Sequence, residues 1–132
     1  MSQENVQVVL GQFAATNERD FARAMSLYTE DVELTVDREA FLEGGTFHGR
    51  EAVGEWFGNW FATFEPGYHF GIEETRDLGD LVLLVASHHG RGRISGAEVH
   101  GQSAYLYEVR GGKVARVELH ATREAALHAA GG

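Results

Sequence analysis

The chain contains no cysteine. A disulfide framework, thiol chemistry and a thiolate metal site are therefore excluded. Basic residues are scarce, 11 against 20 acidic ones, for a formal charge of −9 with histidine neutral. That balance argues against a nucleic-acid partner, which needs a basic stripe. It argues equally against docking on anionic lipid. Long apolar runs are missing too. The longest run of large apolar residues spans 81–85, extended by Ala86. A membrane span needs roughly 20 such residues. The start, Met1-Ser2-Gln3-Glu4, has neither the basic cluster nor the apolar stretch of a secretory signal. A cytoplasmic location is the expectation. Proline occurs once, at Pro66, against 17 glycines, so glycine supplies most of the punctuation.

What is present suffices for a core. With 43% hydrophobic and 11% aromatic residues in 132, the chain fits a single domain over residues 1–132. Val6, Val9, Leu10 and Phe13 fall at helical spacing, so residues 4–16 read as an amphipathic helix. Asp20 is placed to cap a second helix that buries Phe21, Ala24, Met25 and Tyr28. Val32, Leu34 and Val36 then alternate with polar residues, the pattern of a strand with one buried face. Gly44-Gly45 marks a turn, read as part of a small hairpin within residues 38–49.

Residues 50–64 carry the clearest pattern. Val53, Trp56, Phe57, Trp60, Phe61 and Phe64 form one aromatic stripe on a helix ended by Pro66-Gly67. The period then changes to two. Tyr68, Phe70 and Ile72 alternate with His69, Gly71 and Glu73. After a turn at residues 77–80, Leu81 to Ala86 is apolar on both faces, as in a strand covered on both sides. Ser103, Tyr105 and Tyr107 share a face of the next strand. Gly111-Gly112 reads as a hairpin turn, and Val117, Leu119 and Ala121 form the inner face of the last strand. Thr122 can cap a short alanine-rich helix. Segregated helices followed by a run of strands indicate an α+β fold.

Several segments in this order resemble the SnoaL-like branch of the nuclear transport factor 2 superfamily. They are Met1-Ser2-Gln3-Glu4-Asn5-Val6, residues 27–33, and Thr46-Phe47-His48-Gly49-Arg50-Glu51 leading into the aromatic helix. Gly90-Arg91-Gly92-Arg93, residues 95–99, Gly111-Gly112-Lys113-Val114 and residues 123–131 complete the set. The resemblance implies a cone-shaped half-barrel: a curved mixed or antiparallel sheet wrapped around N-terminal helices and one long aromatic helix. It also implies a homodimer, formed here through the outer face of the sheet. Relatives include ketosteroid isomerases, polyketide cyclases and limonene epoxide hydrolases, so the family fixes fold better than reaction.

None of those chemistries transfers residue by residue. A ketosteroid isomerase-like base falls on Val36, its tyrosine on Gln12 and its acid near Ser103. Asp37 lies one residue from the base position, where a bulge would turn it inward. The aspartate of a SnoaL-like cyclase falls on Leu119 and its histidine on Tyr105. The strand that would carry part of an epoxide hydrolase's Asp-Arg-Asp set reads Ala86-Ser87-His88-His89.

The residues left at inward positions define the candidate site. His88, in parity with Val82, Leu84 and Ala86, is the candidate acid or base. Tyr105 is the candidate donor to a carbonyl or oxyanion, and Asp37 a second carboxylate. Gln12, Trp56, Trp60, Ser103, Tyr107 and Leu119 are the candidate ligand contacts. No organic cofactor is expected. No metal is expected either, because His88 and His89 point to opposite faces and no His-x-His or His-x-x-x-His pair occurs. The reading is a small-molecule enzyme moving protons on a hydrophobic carbonyl or cyclic compound. Two others compete. One is a binding module without chemistry. The other is a dimerising protein with a filled cup, in which a second copy covers the doubly apolar strand.

Overall fold

The computed structural model describes residues 2–37 and 44–131. Two helices open the chain, α1 (Ser2–Asn17) and α2 (Phe21–Ser26), followed by β1 (Tyr28–Val36) and β2 (Gly45–His48). The aromatic helix α3 (Arg50–Ala62) precedes four strands: β3 (His69–Asp77), β4 (Val82–Arg91), β5 (Glu98–Arg110) and β6 (Lys113–His120). A short helix, α4 (Arg123–Ala129), ends the described chain. The six strands form one sheet in the order β2-β1-β6-β5-β4-β3. Only β1 and β6 run parallel. The sheet is therefore mixed. It is curved and does not close, giving the α+β cone expected from the sequence.

Local chemistry accounts for the boundaries. The Asp20 carboxylate accepts from the Arg23 N–H at the start of α2, and the Thr122 hydroxyl accepts from the Ala125 N–H at the start of α4. Gly111 and Gly112 both take positive φ, 60° and 78°, as a two-residue hairpin turn requires.

The concave face holds the main core. Val9 and Phe13 of α1, Val53, Trp56, Phe57 and Phe61 of α3, and the inward residues of the strands pack there. Each such side chain contributes about 1.5–3 kcal/mol on burial. The convex face carries a smaller core of Leu83, Val85, Ala104 and Leu106 beneath Ala126 of α4. Both faces of β4 are thus covered, the outer one in part by α4 of the same chain.

Three sequence expectations need correction. Tyr28 opens β1 instead of extending α2, and is buried. The aromatic helix ends at Ala62, so Phe64 lies beyond it in a bridge to Gly92. Ile72 was placed inward by alternation, yet it is 47% exposed. It stays in register with the inward Ala86, and the shift between Ile72 and Glu74 alters the parity only of the residues beyond it. Gly45, read with Gly44 as a turn, opens β2 and pairs with Val36, while residues 38–43 of the expected hairpin lie outside the described residues.

Candidate functional site

Between α3 and the concave sheet lies a cavity of about 280 Å³. Trp56, Phe57 and Trp60 line it from α3, Phe70 from β3, His88 from β4, Ser103 and Tyr105 from β5, and Leu119 from β6. Gln102 and Ala121 also border it. The helical stripe places the tryptophans on its roof, where the Trp56 and Trp60 rings stack at 5.7 Å and 9°. Strand parity places the floor, because Ala86, His88, Ser103 and Tyr105 alternate with residues of the outer face.

The lining is apolar apart from a few groups, and among the described residues no carboxylate belongs to it. His88 stands opposite Phe70 on one side and Gly101 on the other. A side chain at position 101 would place its Cβ 3.0 Å from His88 Nε2, so glycine leaves the space that the imidazole fills. His88 Nδ1 lies 3.1 Å from the phenol oxygen of Tyr68. That oxygen in turn accepts the Trp60 indole N–H at 3.0 Å. Tyr68 is held on the other side by its ring stack with Phe64 at 4.0 Å and 6°.

Burial, then the electrostatic influence of nearby His89 and His100, lowers the His88 pKa below its usual value. Burial pushes the Tyr68 phenol up to about 12 against the opposing pull of its Trp60 hydrogen bond and the Arg19 charge. Burial also raises the Tyr105 phenol far above its usual range, with a hydrogen bond from Ser103 acting against it. At neutral pH the site therefore holds a neutral imidazole and neutral phenols. These are hydrogen-bond donors in an apolar setting, where each is worth more than in water.

The structure brings together six of the residues singled out in the sequence: His88, Tyr105, Trp56, Trp60, Ser103 and Leu119. Three lie elsewhere. Tyr107 is buried beside Tyr105, its ring stacked at 5.9 Å, and is not among the lining residues. Gln12 is buried in α1, donating to Thr16 at 3.0 Å and hydrogen-bonded to the Tyr28 phenol. Asp37 follows β1, where its backbone N–H donates to the carbonyl of Leu119 at 3.1 Å. Tyr68 and Phe70 escaped sequence reasoning as site residues. Their signal was present only in the register that pairs Phe70 with His88.

Among the described residues, no group of three or more histidine or acidic side chains is arranged to hold a metal ion. His69 and His89 stack at 5.5 Å on the outer face instead of converging. No described helix is long and apolar enough to cross a membrane.

The family model for the SnoaL-like domain matches residues 9–117. No curated protein matches the sequence. Among solved structures, the fold is similar to that of TerC co-crystallized with polyporic acid, with TM-score 0.76, 22% identity and 96% of each chain covered. It is also similar to a putative SnoaL-like polyketide cyclase from Jannaschia sp. CCS1, with TM-score 0.79, 18% identity, and 97% of this chain and 92% of that one covered. A hypothetical protein with a ketosteroid isomerase-like fold from Catenulispora acidiphila, in complex with trimethylamine, gives TM-score 0.74 and 22% identity, with 94% and 92% covered. Identities this low carry the fold and not the reaction.

Proposed function

We propose, since this chain belongs to the SnoaL-like domain family, that it takes a small hydrophobic carbonyl-bearing or cyclic compound into the concave cavity and moves protons on it without a cofactor. The observation that carries this reading is the presence of His88 and Tyr105 in the lining of one apolar cavity. A cavity of about 150 Å³ holds benzene, so about 280 Å³ suits a compound of one or two rings. Tyr105 and His88 would hydrogen-bond the carbonyl oxygen and stabilise the charge that grows there. Isomerisation, cyclisation and hydration all draw on that polarisation. Asp37, tied through its backbone to the cavity wall at Leu119, is the carboxylate we assign as a second proton-transfer group. That TerC, of similar fold, was co-crystallized with polyporic acid supports the cavity as a place for small organic molecules.

Enolisation tests this without knowing the natural substrate. Indanone in deuterated buffer loses an α C–H proton to water, gains an enol O–H, and returns with deuterium at carbon. The protein is expected to accelerate this exchange, measured by proton NMR, and His88→Gln and Tyr105→Phe to reduce the acceleration about ten-fold or more. Binding without accelerated exchange would favour the second reading, a ligand-binding module. The observation on that side is a lining that holds no carboxylate among the described residues.

The same reading includes a homodimer through the outer sheet face beside α4. Arg116 pairs there with Glu108 and Glu118, and His120 lies within hydrogen-bond distance of Glu118, a mixed surface suited to a wet interface. Light scattering on the eluting peak would read two chains or one.

A further inference from the structure

We propose that Tyr68 is a positioning residue that holds His88 as the neutral tautomer with its proton on Nε2, so that the cavity recognises its ligand through an acceptor oxygen. This rests on the reading of the cavity as a small-molecule site.

Tyr68 is only 1% exposed, so its phenol proton needs a protein acceptor. The Tyr68 oxygen has two hydrogen-bond neighbours among the described residues, the Trp60 indole nitrogen and His88 Nδ1. An indole N–H can only donate. The phenol proton therefore goes to Nδ1, which must be the unprotonated ring nitrogen. A neutral imidazole then carries its proton on Nε2. Nε2 has no hydrogen-bond acceptor in the protein among the described residues and lies against the space left by Gly101.

Two consequences follow for chemistry. His88 offers a donor to the cavity and no free lone pair, so it polarises an oxygen and does not remove a proton from carbon. Trp60 acts through Tyr68, since its indole N–H fixes the direction in which the phenol donates. A ketone, quinone or lactone oxygen satisfies Nε2–H. A hydrocarbon of the same shape leaves that donor unpaired, which a site built this way rejects.

Isotope-edited proton–nitrogen NMR of the full chain tests the assignment directly. The expected wild-type spectrum shows His88 with a protonated Nε2 and a hydrogen-bonded, unprotonated Nδ1. In Tyr68→Phe, which keeps the ring packing, Nδ1 should move toward the value of an unbonded ring nitrogen. A protonated Nδ1 in the wild type overturns the proposal, and so does an unchanged Nδ1 signal in a folded Tyr68→Phe. The ligand arm compares indanone with indane by titration. The affinity ratio of ketone to hydrocarbon should fall about ten-fold in His88→Phe, and an unchanged ratio overturns recognition through His88. If neither compound binds, the small-molecule reading fails, while the NMR result still decides the role of Tyr68.

Discussion

Asn17, the last residue of α1, clasps both backbone groups of Phe70: its Nδ2 donates to the Phe70 carbonyl at 3.0 Å, and the Phe70 N–H donates to its Oδ1 at 2.9 Å. The side-chain amide thus stands in for a neighbouring strand at the edge of the sheet. Arg19 reinforces the latch by donating to the Tyr68 carbonyl while its guanidinium lies 4.0 Å over the Phe61 ring. The segment that brings Tyr68 to His88 is fixed from α1. Replacing Asn17 by Asp puts a second acceptor opposite the Phe70 carbonyl and should cost about 1–3 kcal/mol in urea unfolding. The cost should shrink at acid pH, where the carboxyl regains a donor. Equal stability of the variant and the wild type at neutral pH would show that the clasp holds nothing.

Gly90 secures the same segment from β4. A Cβ there would lie 2.8 Å from the Cα of Tyr68 and 2.9 Å from its Cβ. Backbone cannot swing aside as a flexible side chain can, so Gly90→Ala must push the two chains apart. We expect a loss of about 1–3 kcal/mol from overpacking. The phenol should also move from His88, read as a change in Trp60 fluorescence beyond what unfolding explains. A stable Gly90→Ala with unaltered emission would refute the close contact.

The titration of His88 has a definite sign. Its pKa is lowered in the folded protein from the ordinary value of 6.5, first by burial. Below about that value the unfolded chain binds a proton that the native chain resists, so stability is fully present above it and drains away as pH falls. The urea midpoint should decline from about pH 7 to about pH 5, and decline less in His88→Gln. Parallel declines in the two proteins would mean that His88 titrates alike folded and unfolded.

Much of this was legible in the sequence, for reasons that differ by element. The α3 stripe declared itself because six apolar residues at steps of three and four leave no other period. Parity alone put His88, Ser103, Tyr105 and Leu119 toward the concave side, where they line the cavity. Parity held through Ile72, which pairs with Ala86 although it is 47% exposed, and failed beyond it, because a bulge adds one residue that no pattern announces. Tyr28 was misread because position 28 continues both the helical step from Met25 and the alternation of β1. Gln12 illustrates a different limit. Its place at the tyrosine position of a ketosteroid isomerase-like site suggested a ligand contact, whereas its partners Thr16 and Tyr28 are internal. The meeting of Tyr68 with His88 depends on strand register, which single-strand periodicity does not contain.

The outer core beneath α4 yields a last prediction. Leu83 is fully buried on the convex side with Val85, Ala104, Leu106 and Ala126. Leu83→Ala should therefore leave a cavity and cost about 2–5 kcal/mol. Because α4 belongs to the same chain, that cost should not vary with protein concentration. A strand covered by a second copy would behave otherwise, since dilution would expose the face and the unfolding midpoint would fall with it. Urea unfolding of Leu83→Ala at two concentrations a hundred-fold apart separates these cases. A gap to the wild-type midpoint at the same concentration that holds still assigns the cover to α4, and a gap that changes with concentration returns it to a partner chain.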